Sequence, residues 1–112
     1  ICIETLRLAD QQPICVSSHY FPARYFPNFL EQYQMGSLHA CIQNHYGLQL
    51  KRVESLVSAV LPQGDDASLL CMPKTQPILR VKSINVNARD GTPLEYALTR
   101  FCADRIQLRI NL

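Results

Sequence analysis

The sequence holds no G-x-S-x-G nucleophile elbow, no glycine-rich phosphate loop and no H-E-x-x-H pair. Those absences remove the common hydrolase, nucleotide-binding and zinc-protease signatures. None of its five cysteines stands at C-x-x-C spacing from another, so the usual zinc and redox motifs are missing too. No apolar run approaches the length of a membrane span, and no secretory leader pattern opens the chain. The eleven Lys and Arg are scattered, with a net charge of only +2; they form no basic stripe of the kind that grips nucleic acid directly. A cytoplasmic location, no membrane partner, no cofactor and no metal are therefore expected.

What is present describes one ordinary globular domain. At 112 residues, 47% hydrophobic and 18% charged, the chain suffices for a single core and not for two. Cys2, Cys15, Cys41, Cys71 and Cys102 all lie in apolar surroundings such as "PICV" and "LLCM" and read as buried free thiols. Cys41 and His45, four apart on a predicted helix, would hold a metal only with ligands from elsewhere. The opening "ICIETLRL" has no Met and starts at once in strand register, which reads as a segment of a longer protein.

Residues 1–9 and 13–21 read as two strands joined at "DQQP", and residues 26–34 as a short helix with an early proline. "GSLHACIQNHYG" is the clearest helix. Ser37 suits the N-cap, Leu38, Cys41, Ile42 and Tyr46 share a stripe, and Gly47 stands where the helix should end. A strand over 48–62 and a short helix capped by Asp65 or Asp66 follow. "QPILRVKSINVNA" and "TPLEYALTRFCA" then form a hairpin across "RDG". The tail "DRIQLRINL" alternates and predicts a last strand with Ile106, Leu108, Ile110 and Leu112 inward. "LADQQPICVSSHYF" and "NARDGTPLEYALTRF" echo each other as strand, Asp-x-x-Pro, strand. Two terminal hairpins with helices between them imply an α+β fold with a mostly antiparallel sheet.

The informative polar residues lie on these strands. Arg7 shares a face with Ile3 and Thr5, Ser17 and His19 with Cys15, Arg80 with Ile78, and Glu95 with Ala97, Thr99 and Phe101. A charge on an apolar face is costly unless it is paired or solvated. Taken singly, each reads as a snorkelling or paired side chain. Taken together, they suggest a polar pocket rich in donors that suits a small anionic or polyhydroxylated ligand, with the Ser37 helix start adding backbone N–H groups. On the last hairpin, Leu94, Tyr96, Leu98 and Arg100 should face away from Glu95, with Arg100 supporting the pocket or reaching solvent. His19 could act as a base, but sequence spacing places no carboxylate to orient it.

In order and spacing, "LRLADQQPICVSSHYFP", "GSLHACIQNHYG" and "PILRVKSINVNARDGTPLEYALTRFCADRIQLRINL" resemble the UTRA domain, the effector-sensing half of the HutC branch of GntR-type bacterial transcription regulators. The resemblance covers essentially the whole chain. It implies a chorismate-lyase-like fold, an upstream winged helix-turn-helix that binds operator DNA and is absent from this chain, a homodimer, and a small-metabolite effector. Position by position, it implies that Arg7 and Ser37 meet the ligand, that Glu95 matches the Glu of "P-x-E-x", and that Phe101 lines the pocket. His39 falls where an aromatic is frequent. Ser17 stands where many members carry Glu, which makes this pocket more positive and favours a phosphonate or phosphate ester. Thr5 stands where some sugar-phosphate sensors have a second Arg. Arg80 has no counterpart and is a candidate by strand position alone. The leading expectation is a non-enzymatic sensing domain. An enzyme of the related lyase fold and a dimerisation module with a vestigial pocket, pairing through residues 106–112, stay open beside it.

Overall fold

A computed structural model describes residues 1–112. Five strands, β1 (Cys2–Ala9), β2 (Gln12–Tyr20), β3 (Leu50–Val60), β4 (Ile78–Asn87) and β5 (Pro93–Cys102), make one sheet in the order β1-β2-β5-β4-β3. Every neighbouring pair is antiparallel. With three short helices, α1 (Phe29–Gln32), α2 (Leu38–Tyr46) and α3 (Asp66–Leu69), this is the α+β architecture that two terminal hairpins imply. No helix is long and apolar enough to cross a membrane.

The two hairpins meet along β2 and β5, where Ser17 lies opposite Thr99. Their sequence echo does not extend to their turns. The first closes on Asp10 and Gln11, with φ of 50° and 67°, between the paired Ala9 and Gln12, a two-residue turn whose twist matches its strands. The second is longer, with Gly91 at φ 80° and the Asp90 carboxylate accepting from the Thr92 N–H at 2.9 Å.

Each sheet face buries its own core. On the front, Phe21, Phe26, Phe29, Leu38, Ile42 and Leu94 pack together. The rings of Phe21, Phe26 and Phe29 lie 5.2–5.6 Å apart, two of the three pairs edge-on and the third tilted, as ring quadrupoles prefer. On the back, α3 seals Val16, Ala67, Leu70, Met72, Ile78 and Cys102. Helix α2 forms as its sequence predicts. The Ser37 Oγ accepts from the Ala40 N–H at 3.2 Å, Leu38 and Ile42 are buried, and Gly47 ends the helix at φ 65°.

Three expectations are corrected. The helix over 26–34 is broken: a 3-10 turn spans Ala23–Tyr25, Asn28 takes a left-handed φ of 59°, and only Phe29–Gln32 is α-helical. Pro27 and the burial of Phe26 and Phe29 beside each other favour this kinked path over a continuous helix. The tail forms no strand. Arg105 donates to the carbonyls of Pro13, Leu70 and Cys71, and beyond this anchor the chain has no neighbouring strand, so alternation has nothing to pair with. Leu108, Ile110 and Leu112 are exposed rather than inward. Finally, the cysteines are all free, but only Cys15 and Cys102 are buried; Cys2 and Cys71 are exposed.

Ile42 is wholly buried and Ile110 is exposed. Ile42→Ala should therefore cost about 2–5 kcal/mol in urea unfolding, while Ile110→Ala should stay within about 0.5 kcal/mol of wild type. A large loss at Ile110 would show that the tail is packed after all.

Candidate functional site

Strand alternation and register bring β1, β2 and β5 side chains onto one front face. Thr5 pairs with Ser17, which pairs with Thr99; Arg7 pairs with Cys15, which pairs with Phe101; His19 pairs with Ala97. The segment Tyr33–Ser37 and the start of α2 stand over them. Between lies a cleft of about 720 Å³, lined among others by Arg7, Ser17, His19, Ser37, His39, Arg52, Glu95, Thr99 and Phe101. Seven of the eight residues singled out from the sequence therefore meet in one place.

Glu95 is the centre of this site. Its side chain is 1% exposed, yet three groups donate to it. The His19 Nδ1–H reaches Oε2 at 2.7 Å, the His39 Nε2–H reaches Oε1 at 2.9 Å, and the Asn85 amide reaches Oε1 at 2.6 Å. Burial by itself pushes the carboxyl up. The hydrogen bonds from His19, His39 and Asn85, with the His39 charge, outweigh it and bring the group from 4.5 down to about 2. A carboxylate so fully engaged acts on a ligand through its partners. It fixes Nδ1–H on His19 and so leaves Nε2 facing the cleft, 3.5 Å from the Thr5 Oγ1. His39 is half exposed and its Nδ1 carries no bond to Glu95.

The remaining groups supply donors. Arg7 is exposed, and its side chain forms no ion pair or hydrogen bond within the chain. Ser17 is buried and bonded to Thr99 Oγ1 at 3.0 Å, so it shapes the floor. Ser37 is committed as helix cap through its oxygen, with its hydroxyl hydrogen still free to donate. Phe101 closes one wall. Arg52 belongs to the site and sequence reasoning missed it. It stands at a register shift in β3 between Arg52 and Glu54, where a bulge redirects a side chain, and its Nε donates to Asn85 Oδ1 at 3.3 Å. Asn85 was missed as well; a buried Asn on a strand that carries Arg and Ser was its only signal.

Four placements differ from expectation. Arg80 is not in the cleft. Its register partner is Arg100 rather than Thr99, so it points to the back of the sheet. Arg100 neither reaches solvent nor supports the front pocket. It is 6% exposed on the back and donates to Asp66 at 3.2 Å, Ser18 at 2.9 Å and the Leu98 carbonyl at 2.8 Å. Leu94 joins the front core instead of the Tyr96 face. The register slips between Asn85 and Val86, leaving Leu94 as an extra residue, and a bulge turns it inward. His19 does have an orienting carboxylate, Glu95, supplied 76 residues away.

An antiparallel sheet carrying a polar cleft beneath a short capped helix is an arrangement that can seat a small molecule, and comparison with known proteins identifies the family. Residues 1–107 match the family model of the UTRA domain, and the chain belongs to that family. It is 31% identical over 110 residues to an HTH-type transcriptional regulator of Rhizobium meliloti (strain 1021), covering 97% of this chain and 45% of that protein. It is 29% identical over 111 residues to the probable transcriptional regulator PhnF of Escherichia coli (strain K12), covering 99% and 46%. The chain thus spans about half the length of the curated relatives it matches. Among solved structures, it superimposes on a PhnF C-terminal domain with a TM-score of 0.88 at 28% identity, covering 99% of this chain and 70% of that one. The effector domain of PhnF from Mycobacterium smegmatis gives a TM-score of 0.91 at 20% identity, covering 99% and 68%, a likeness of fold.

The depressed Glu95 pKa has a stability consequence. A carboxyl whose folded value lies below its unfolded value stabilises the fold above the unfolded value, and that gain is lost as pH falls through the folded one. Wild type should therefore lose a stability increment on the order of 3 kcal/mol between about pH 4.5 and about pH 2. Chemical denaturation across that range should show the gap between wild type and Glu95→Gln closing toward pH 2. A constant gap would mean that Glu95 is not the titrating group.

Proposed function

We propose that this chain is the effector-binding domain of a bacterial GntR-type transcription regulator and that its effector carries a phosphonate or phosphate-ester group. The observation that carries the anionic part of this reading is Arg7. It is a guanidinium with no partner in the chain, and it lines the front cleft together with Arg52 and the start of α2. Planar guanidinium donors and helix-start N–H groups suit phosphoryl oxygens. The whole protein would place a DNA-binding domain upstream and act as a non-enzymatic cytoplasmic repressor. It would form a homodimer, a pairing to which the exposed Leu6, Leu56, Tyr20 and Tyr96 on the back of the sheet lend an apolar surface. Ligand binding would bias the dimer between DNA-bound and released states by favouring one of them.

A second reading rests on one arrangement. Glu95 orients His19 with its Nε2 free and the Thr5 hydroxyl 3.5 Å away, which is the logic of a general base. It predicts turnover of the bound molecule.

A thermal-shift titration separates the possibilities. Methylphosphonate or 2-aminoethylphosphonate should raise the melting temperature saturably, neutral amino sugars should not, and Arg7→Ala should weaken binding at least about tenfold, the loss of one charge-assisted contact. Flat curves for every phosphonate and phosphate ester would sink the effector assignment. Product appearing in the NMR spectrum of the mixture would favour the enzyme.

A further inference from the structure

The back of the sheet holds a second polar cleft that the effector reading does not use. It measures about 280 Å³ and lies between β4, β5 and the loop leading into α3, with Glu4, Ser18, Asp65, Asp66, Arg80 and Arg100 among its lining residues. Arg80 and Arg100 are direct cross-strand partners on this face. Like charges so placed repel unless each is compensated.

Only one of them is. Arg100 is held by Asp66, by Ser18 and by the Leu98 carbonyl, and Ser18 in turn donates to Glu4 at 3.2 Å. Two of the three carboxylates around the cleft are therefore engaged in the Arg100 network. The third, Asp65, is exposed and solvent-screened. Arg80 forms no ion pair, and its Nε is buried without any hydrogen-bond partner, the single such side-chain atom in the chain. A buried guanidinium N–H left unpaired costs free energy that an acceptor entering the cleft would recover.

We propose that this cleft is a second ligand site, separate from the front pocket, which takes the carboxylate or phosphate group of a small molecule on the Arg80 guanidinium. The fork geometry of arginine suits either group through paired N–H···O bonds. The small volume admits a compact anion, with Val60, Leu61 and Leu98 to meet a short apolar remainder. Because Arg100 shares the cleft and is tied to Asp66, occupancy would be felt by α3 and by β5, the strand that carries Glu95 on its other face.

The test uses this chain in an Arg7→Ala background, which disables the front anion contact. Acetate and inorganic phosphate are titrated at constant ionic strength made up with chloride. The proposal expects a saturable rise in melting temperature for at least one anion, lost in Arg7→Ala/Arg80→Gln, and with Arg80→Lys retaining part of it. In ¹H–¹⁵N spectra, the arginine Nε–H resonance that disappears in Arg80→Gln should shift with the same saturation. A response that survives Arg80→Gln overturns the proposal. So does a purely linear drift of that resonance parallel to the one of exposed Arg89.

Discussion

The burial of the Glu95 carboxylate constrains almost everything around it. A carboxylate with 1% of its side chain exposed is tolerable only where donors meet it on both oxygens. Those donors come from three different elements: His19 from β2, Asn85 from β4 and His39 from α2. Arg52 then extends the network to β3 through Asn85. The floor, one wall and the roof of the front cleft are therefore tied to one atom pair on β5. Helix α2 has two kinds of attachment as a result. Leu38 and Ile42 sink into the aromatic core, while His39 reaches the carboxylate from the cleft side. The first holds the helix to the sheet; the second sets the cleft's mouth.

This division bears on how a bound effector would act in the proposed regulator. Packing of Leu38 and Ile42 keeps its value whether or not the cleft is filled. The His39 contact and the exposed segment Tyr33–Ser37 are open to solvent or a ligand, and these are the parts whose energy a ligand can change. A molecule that touches Arg7 on β1 and the Ser37–His39 stretch at the start of α2 together bridges two elements that share no direct hydrogen bond. Its affinity is then greatest when the two are held at one separation. That dependence on geometry is what differential binding to two conformers requires.

Much of this was legible in the sequence because alternation along a strand and capping along a helix are local rules. Both hairpins, the Ser37–Gly47 helix and which residues share a strand face followed from them; that Arg7, Ser37 and Phe101 meet in one ligand pocket came from the resemblance to the UTRA domain. The failures have local causes of another kind. Leu94 escaped because a bulge breaks the period of two, and nothing in "TPLEYAL" announces an extra residue. Arg80 escaped because its face depends on register with Arg100, a pairing set across the hairpin rather than along the strand. The tail alternates as well as any real strand does, yet a ladder needs a neighbour and Arg105 leads the chain away from both sheet edges. The Glu95–His19 contact joins residues 76 apart, a distance over which spacing carries no information.

The juxtaposition of Glu95 and Arg100 on one strand also has a physical answer. Five residues apart, they lie on opposite faces, and each is buried with its own partners. At about 3.3 Å per residue they also stand roughly 16 Å apart along the strand, too far to pair directly. A guanidinium fork can satisfy both carboxylate oxygens at once, but its remaining N–H groups can only donate. The sheet keeps that fork on the back, where Asp66 meets it, and leaves Glu95 to imidazoles. An imidazole spends one nitrogen on the carboxylate and keeps the other for whatever stands beyond it. Glu95 can therefore be buried and still bear on a ligand, because its partners His19 and His39 carry its influence into the cleft.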